Sequence, residues 1–185
     1  MRLDLGGGTI NTKAPGHLNI DICQGADINW DLNNGLPLKR KLPREYSGID
    51  TREVDKRIAR DKATYILEPN SIEGIRANQL IEHLNTIIPL MNDCFEVLKP
   101  GGLLEISTPL AGTDPFWQDP THKKGYIRRS FDYFCDDIST ADAREEYGIT
   151  CKFKVVWELL EHEWNFQIKL QKPGEEIDMP ETYEA

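Results

Sequence analysis

The segment Leu3-Asp4-Leu5-Gly6-Gly7-Gly8 places three consecutive glycines directly after a short apolar run. Glycine adopts positive φ angles and lets the backbone approach a ligand closely, so this turn is typical of a nucleotide-binding strand end. Taken alone the pattern is weak, because any strand can end in a glycine-rich turn. A dinucleotide fingerprint counted from Gly6 requires glycine where the chain has Asn11, and the P-loop lysine is absent. Phosphate cradling is therefore not indicated.

Short apolar runs recur along the chain and alternate with more polar segments. This alternation is typical of strands joined by helices, so it predicts an α/β fold with a mostly parallel sheet. The first two runs are separated by only about ten residues, too few for a complete crossover helix, and we expect an irregular connection there. The five predicted parallel strands are Arg2–Leu5, His17–Ile22, Ala26–Leu32, Ser71–Ala77 and Leu103–Ser107.

Two segments are predicted to be helical. Between Asn85 and Leu98 the apolar residues recur at helical spacing, and the helix-breaking segment Lys99-Pro100-Gly101-Gly102 follows. A second, charge-rich helix is predicted over Ile49–Ala63. Helices between strands agree with the α/β interpretation.

The C-terminal part of the chain has the alternation of a half-buried antiparallel pair. Apolar and polar residues alternate on both sides of Leu160–Glu163 within Phe153–Leu170, which predicts a hairpin of two antiparallel strands. We expect residues 1–172 to form a single domain with an insert at 39–70. Acidic residues and two prolines over 173–185 predict a disordered tail.

Composition limits the classes of function. The chain has 185 residues, 39% of them hydrophobic, and a net charge of −9, which disfavours binding to nucleic acid by bulk electrostatics. No apolar run approaches the roughly 18 residues of a membrane span, and no signal peptide is evident, so we expect a cytoplasmic protein that binds no membrane. Cys23, Cys94, Cys135 and Cys151 form no C-x-x-C pair, which indicates reduced thiols rather than a zinc or disulfide framework.

Two further carboxylates follow the glycine turn at the ends of predicted strands. Asp21 ends the second strand, where a carboxylate can accept both hydrogen bonds of a ribose diol. Asp31 ends the third strand and can accept a hydrogen bond from an adenine amino group. Together with Asp4, they suit a cofactor that carries an adenosine and a cationic sulfonium but no phosphate.

Five motifs in order give the pattern its specificity. The chain resembles the class I S-adenosylmethionine-dependent methyltransferases of Rossmann-like fold, in particular a small, methyltransferase type 11-like group with a shortened connection after the glycine loop. The resemblance covers about residues 2–134. The motifs are Leu3–Gly8, Pro15–Asp21, Asp31-Leu32 with Gly35–Pro37, Leu80–Leu84 and Val97–Gly102.

The resemblance implies S-adenosyl-L-methionine as cofactor and assigns nine residues to its site. Asp4 and the backbone of Gly6 and Gly8 would face the methionine part of the cofactor, and Asp21 with Ile22 would face the ribose. Asp31 with Leu32 would face the adenine, and Ala77 with Asn78, at the end of the fourth strand, would line the methyl-donor centre.

The sequence departs from the family pattern in two places. Many members have helices ahead of the first strand that cover the cofactor, whereas this chain begins almost at the strand. We expect the loop Asp119–Phe131, a second copy or a partner subunit to supply the cover. The insert Lys39–Asn70 is longer than usual in the group, and we expect it to contribute to substrate choice or assembly.

Four residues are candidates for catalysis. His122 and Asp119 lie in a loop after the fifth strand and are predicted to act as base, or substrate ligand, and its partner. Glu82 and His83 follow the fourth strand and are predicted to face the donor methyl group. Structural roles are the alternative for all four: a hydrogen-bonded loop histidine, and polar residues at a helix start. A metal site from His83, Asp119 and His122 is not expected, because their spacing is not diagnostic.

The predicted function is methyl transfer to an oxygen or nitrogen of a small molecule or saccharide. The aromatic residues of 117–134 are candidates for the acceptor pocket, although core packing explains most such residues. A non-catalytic cofactor-binding subunit, or an inactive relative that needs a partner, is the alternative. A nicotinamide-dependent oxidoreductase is less favoured because of Asn11.

Overall fold

A computed structural model describes residues 1–7, 16–22, 26–38, 67–136 and 141–174. These residues form a seven-stranded sheet in the order β3-β2-β1-β4-β5-β7-β6. Strands β1 to β5 are parallel, and β7 runs antiparallel to both β5 and β6. The strands are β1 (Arg2–Leu5), β2 (Leu18–Asp21), β3 (Ile28–Asn29), β4 (Ile72–Asn78), β5 (Leu98–Pro109), β6 (Lys154–Glu161) and β7 (Asn165–Gln171).

The predicted α/β class, the mostly parallel sheet and the C-terminal hairpin are confirmed. The hairpin turn follows Glu161, and its residues His162 and Glu163 have positive φ angles of 53° and 64°. Strand β1 has the predicted bounds. In β7 the alternation of apolar and polar residues corresponds to burial, because the residues on one face of the strand are buried. Most residues of β6 are exposed, so its alternation has no such counterpart in burial.

The third strand is much shorter than predicted. The structure ends it at Asn29, and a 3₁₀ turn over Leu32–Asn34 takes the place of its predicted last residue. The Asp31 side chain caps this turn by accepting a hydrogen bond from the Asn33 backbone N–H. An aspartate at this position favours the turn, because its side chain accepts from a backbone N–H that in a longer strand would pair with a neighbouring strand.

Helix α1 (Ile88–Val97) confirms the helix predicted between Asn85 and Leu98. Its buried positions include Leu90, Met91, Cys94 and Val97, which recur at helical spacing and join the core. The chain passes directly from this helix into β5. The segment Lys99–Gly102, which was predicted to end the helix, is part of this strand, and the register of the strand against β4 is irregular.

Hydrophobic burial is concentrated on one face of the sheet. Neighbouring strands in register place Leu3, Ile75, Leu104 and Leu170 on this face, and all four are buried. Residues between them in sequence alternate to the other face, where Lys169 forms an ion pair with Glu105 and lies over the Trp157 ring. One buried face explains the alternating pattern of the later strands, because a strand with one wet side alternates.

Shorter elements follow β5: helix α2 (Asp114–Gln118), a 3₁₀ helix over Arg128–Phe134, and helix α3 (Ala141–Glu146). No helix in the described part of the chain is long and apolar enough to cross a membrane. The predictions for Gly8, for a helix over Ile49–Ala63 and for most of the insert and the acidic tail fall outside the described residues.

Candidate cofactor and catalytic site

The glycine turn closes tightly against two neighbouring segments. Gly6 has a φ of 66°, and its N–H donates a 2.9 Å hydrogen bond to the carbonyl of Ile20 in β2. A Cβ added at Gly6 would lie 2.7 Å from Cδ1 of Leu80, two residues after the end of β4. The turn therefore requires glycine for both its backbone angle and its packing.

Asp4 and Asp21 lie near the carboxyl ends of adjacent strands. Asp4 is 2% exposed, and its Oδ2 atom lies 3.0 Å from the position that a Cβ at Gly7 would take. The Gly7 N–H donates to the Asn19 side chain at 3.2 Å. Asp21 is half-buried as the last residue of β2, and the neighbouring Ile22 side chain is exposed. The parallel register thus brings the predicted methionine and ribose ligands to one edge of the sheet.

Asp31 has a structural role that the sequence interpretation did not include. Its Oδ1 atom accepts from the Asn33 backbone at 2.9 Å and from the Asn33 side chain at 2.8 Å. Leu32 is buried in the core. The predicted contact of this segment with adenine would therefore rest on a loop that is already fixed by its own hydrogen bonds.

The end of β4 is ordered by a polar network. Ala77 packs in the core and Asn78 is exposed, and the next residue, Gln79, has a φ of 50°. The Gln79 amide donates to Ser107 at 3.2 Å and to Asn165 at 3.1 Å. These contacts tie the chain after β4 to β5 and β7.

Glu82 is completely buried in a 3₁₀ turn over Ile81–His83. Its Oε2 atom accepts a 3.0 Å hydrogen bond from the Thr108 hydroxyl, whereas its Oε1 atom has no hydrogen-bond partner among the described residues. Burial raises the pKa of this carboxyl group above its ordinary value. Its backbone carbonyl accepts from the N–H of Lys123 at 2.7 Å, which fixes the loop after α2 against this turn.

His122 lies beside this buried carboxylate. Its Nε2 atom is 4.0 Å from Oε1 of Glu82 and 3.8 Å from Oδ2 of Asp119. Its Nδ1 atom is 2.8 Å from the carbonyl oxygen of Phe116, whose ring stacks on the imidazole. The imidazole is therefore held in place on two sides.

The predicted pairing of Asp119 with His122 is not a direct hydrogen bond. Asp119 instead accepts from the backbone N–H of Thr121 at 2.8 Å and from its hydroxyl at 2.6 Å. These two bonds lower the pKa of Asp119. A carboxylate two positions before a threonine commonly closes such a local turn, and Asp119 therefore approaches His122 at ion-pair distance, 3.8 Å, rather than by a hydrogen bond.

His83 completes the cluster. Its ring centroid is 4.8 Å from that of His122, and its Nδ1 atom is 3.0 Å from the Thr121 hydroxyl oxygen. The structure therefore brings all four predicted catalytic candidates together. The sequence interpretation did not identify the residues that position these candidates, which are Thr108, Phe116 and Thr121. Only Phe116 and Thr121 could have been suspected from the sequence, because they lie close to His122 along the chain.

The predicted aromatic residues divide between core and cavity. Phe131 is fully buried, and Trp117 is exposed. Tyr126, Tyr133 and Phe134 line a mainly apolar cavity of about 350 Å³ that also contains Lys124, whose backbone N–H donates to the Glu82 carbonyl at 3.2 Å. The cavity therefore lies next to the Glu82 turn, to which it is connected through Lys124 and through Asn85, which follows the turn in sequence.

No family model and no curated protein sequence matches the chain. Several solved structures are similar to it in fold. A proposed sarcosine dimethylglycine methyltransferase from Galdieria sulphuraria is 13% identical, with a TM-score of 0.51 over 93% of this chain and 78% of that one. The YcgJ protein of Bacillus subtilis is 11% identical, with a TM-score of 0.50 over 93% and 91%. The [4+2]-cyclase SpnF is 12% identical, with a TM-score of 0.51 over 94% and 74%.

The chain has the class I methyltransferase fold. Identities this low establish the fold alone, and the cyclase shows that a neighbour with this architecture can be named for another reaction. The reaction must therefore be argued from the residues at the carboxyl edge of the sheet.

Proposed function

We propose that the protein is an S-adenosylmethionine-dependent methyltransferase that acts on an oxygen or nitrogen of a small molecule or saccharide. One observation carries the proposal. The order of the strands places the Gly6 turn and the Asp21 carboxylate side by side, at the carboxyl ends of β1 and β2 where α/β sheets bind nucleotides.

The cofactor is proposed to lie across this edge. Asp4 and the glycine turn would contact its methionine part, Asp21 the ribose hydroxyls, and Asp31 with Leu32 the adenine. The close contact of Gly6 with Leu80 supports this arrangement, because it holds the turn against the segment that leads to Glu82 and His83. The sulfonium methyl would then face the end of β4.

The acceptor is proposed to bind on the side of the sheet edge formed by the loops after β4 and β5. The cavity lined by Tyr126, Tyr133 and Phe134 would hold an apolar part of it. Transfer from a sulfonium requires mainly in-line placement in a site that excludes water. An acceptor hydroxyl or ammonium group must also lose a proton, and His122 is the proposed base.

A methyl-transfer screen tests this function. The purified chain is incubated with methyl-labelled S-adenosylmethionine and candidate alcohols, amines and saccharides, and labelled product is counted. We expect transfer to at least one acceptor class, with a large loss in His122→Ala and no loss in His162→Ala, an exposed histidine in the β6–β7 turn. Cofactor binding without transfer to any acceptor would contradict an autonomous enzyme and favour a cofactor-binding subunit.

A further inference from the structure

Three potential metal ligands meet at the end of β4. One ligand atom each from Glu82, His83 and His122 lies within 4.8 Å of the other two. Glu82 is completely buried, and its Oε1 atom, which faces Nε2 of His122, has no hydrogen-bond partner among the described residues. A buried carboxylate oxygen is costly unless it meets a donor or a cation.

The hydrogen bond at Phe116 determines which nitrogen of His122 is basic. A carbonyl oxygen can only accept, so Nδ1 of His122 carries the hydrogen and donates it to Phe116. In the neutral ring the lone pair then belongs to Nε2, the atom that faces Glu82. Two lone-pair atoms therefore face each other across 4.0 Å.

The contacts of Thr121 determine the state of His83 in the same way. The Thr121 hydroxyl lies 2.6 Å from Asp119, a carboxylate that can only accept, so its hydrogen points there. Its oxygen must then accept from Nδ1 of His83. In the neutral ring this leaves Nε2 of His83 as the basic nitrogen. Metal-binding histidines commonly donate their second N–H to a carbonyl or another oxygen in this manner.

We propose that Glu82, His83 and His122 bind a first-row transition-metal dication such as Zn²⁺. Two imidazoles and one carboxylate form a ligand set that such ions favour, and Mg²⁺ and Ca²⁺ prefer oxygen ligands. Three protein ligands leave at least one coordination position open. The sequence-based expectation was that these residues form no metal site, and the set considered there contained Asp119, whereas Glu82 supplies the carboxylate in this proposal.

The distances favour a bridging cation over a simple ion pair. The 4.0 Å between Oε1 of Glu82 and Nε2 of His122 exceeds a hydrogen bond. Two ligands each about 2.1 Å from a tetrahedral ion lie about 3.4 Å apart. The three ligand atoms lie within 4.8 Å of one another, so side-chain rotations would have to bring them closer, and His83 is only half-buried.

A role for the ion rests on the proposed methyltransferase function. The cluster lies after β4, where the donor methyl group is proposed to face the acceptor. With the ion bound, Nε2 of His122 would be a ligand and no longer a free base, and the open coordination position would instead favour the deprotonated form of an acceptor heteroatom held there. The binding site itself does not depend on this role.

Metal binding to the full chain tests the site directly. Chelator-treated protein is titrated with ZnCl₂ and with MgCl₂ by calorimetry, and with CoCl₂, whose visible absorption reports the coordination geometry. The variants are His83→Ala, His122→Ala and Glu82→Gln, with His162→Ala as the control because this exposed histidine also lies near a glutamate, at 3.8 Å. Thermal melting of each variant checks that it is folded, and Glu82→Gln keeps the shape of the buried side chain.

We expect one Zn²⁺ per chain, much weaker binding of Mg²⁺, and a loss of Zn²⁺ affinity of at least about 100-fold in the folded cluster variants. The control should bind as the parent does. Absence of Zn²⁺ binding, or equal affinity in the parent and the cluster variants, would overturn the site. Binding of S-adenosylmethionine to the parent protein is measured separately. A parent that binds S-adenosylmethionine but not Zn²⁺ would refute only the metal site, and a parent that binds Zn²⁺ but not S-adenosylmethionine would refute only the proposed function.

Discussion

The carboxylate of Asp93 in helix α1 accepts a 2.7 Å hydrogen bond from the backbone N–H of Leu36, 57 residues earlier in the chain. Both residues are buried. The bond ties the helix to the segment that follows the Leu32–Asn34 turn. It therefore helps to fix the loop that the proposed function assigns to adenine.

Removing this buried acceptor should destabilise the protein. We expect Asp93→Ala to lower the free energy of unfolding by about 1–3 kcal/mol, because the Leu36 N–H would be left buried without this acceptor. Asp93→Asn should lose less, since its amide oxygen can still accept. Urea denaturation measures both, with the exposed Glu145→Gln as control. Equal stability of Asp93→Ala and the control would contradict the assignment.

The two requirements for glycine at position 6 can be separated by comparison with Gly112. Gly112 has a φ of 88°, but a Cβ there would meet no atom within 4 Å, whereas a Cβ at Gly6 would clash with Leu80. We expect Gly112→Ala to cost about 1–2 kcal/mol from the backbone angle alone. Gly6→Ala should cost more and should also weaken cofactor binding. Thermal melting and calorimetry give the two readouts, and the account would be wrong if the two alanines behaved alike.

The described cysteines should be unreactive in the native protein. Cys94, Cys135 and Cys151 are buried, and burial raises the pKa of Cys151 to about 12. A raised pKa lowers the thiolate fraction at pH 8, and the thiolate is the reactive form. In a Cys23→Ser variant we expect no rapid reaction with Ellman's reagent at pH 8 and reaction of the three remaining thiols after unfolding in urea. One rapidly reacting native thiol would disprove this burial.

The sheet was predictable because its signals are local. Strand β1 and the C-terminal hairpin follow from apolar runs and alternation within a few residues, and α1 follows from its helical spacing. The third strand was overextended because Ala26–Leu32 is mostly apolar, and the capping of a turn by Asp31 outweighs that preference. Apolar composition alone does not separate a short strand from the turn that follows it.

The candidate catalytic cluster was predictable only in its members. Glu82, His83, Asp119 and His122 were found from the resemblance and from their place after two strands. Their contacts depend on how the loops after β4 and β5 pack, which no local pattern encodes. The complete burial of Glu82 emerges only in three dimensions, whereas the turn between Asp119 and Thr121 is local and the sequence interpretation did not include it.

The central claim is that the carboxyl edge of β1 and β2 binds an adenosyl cofactor through Asp21. Calorimetric titration with S-adenosylmethionine and with NAD tests it most directly, using the parent, Asp21→Ala and the control Glu145→Gln. The account predicts that the parent and the control bind S-adenosylmethionine equally and do not bind NAD. Asp21→Ala should bind it at least about 10-fold more weakly, because charge-assisted hydrogen bonds to the ribose are lost. Binding of NAD alone, or unchanged affinity in Asp21→Ala, would contradict it.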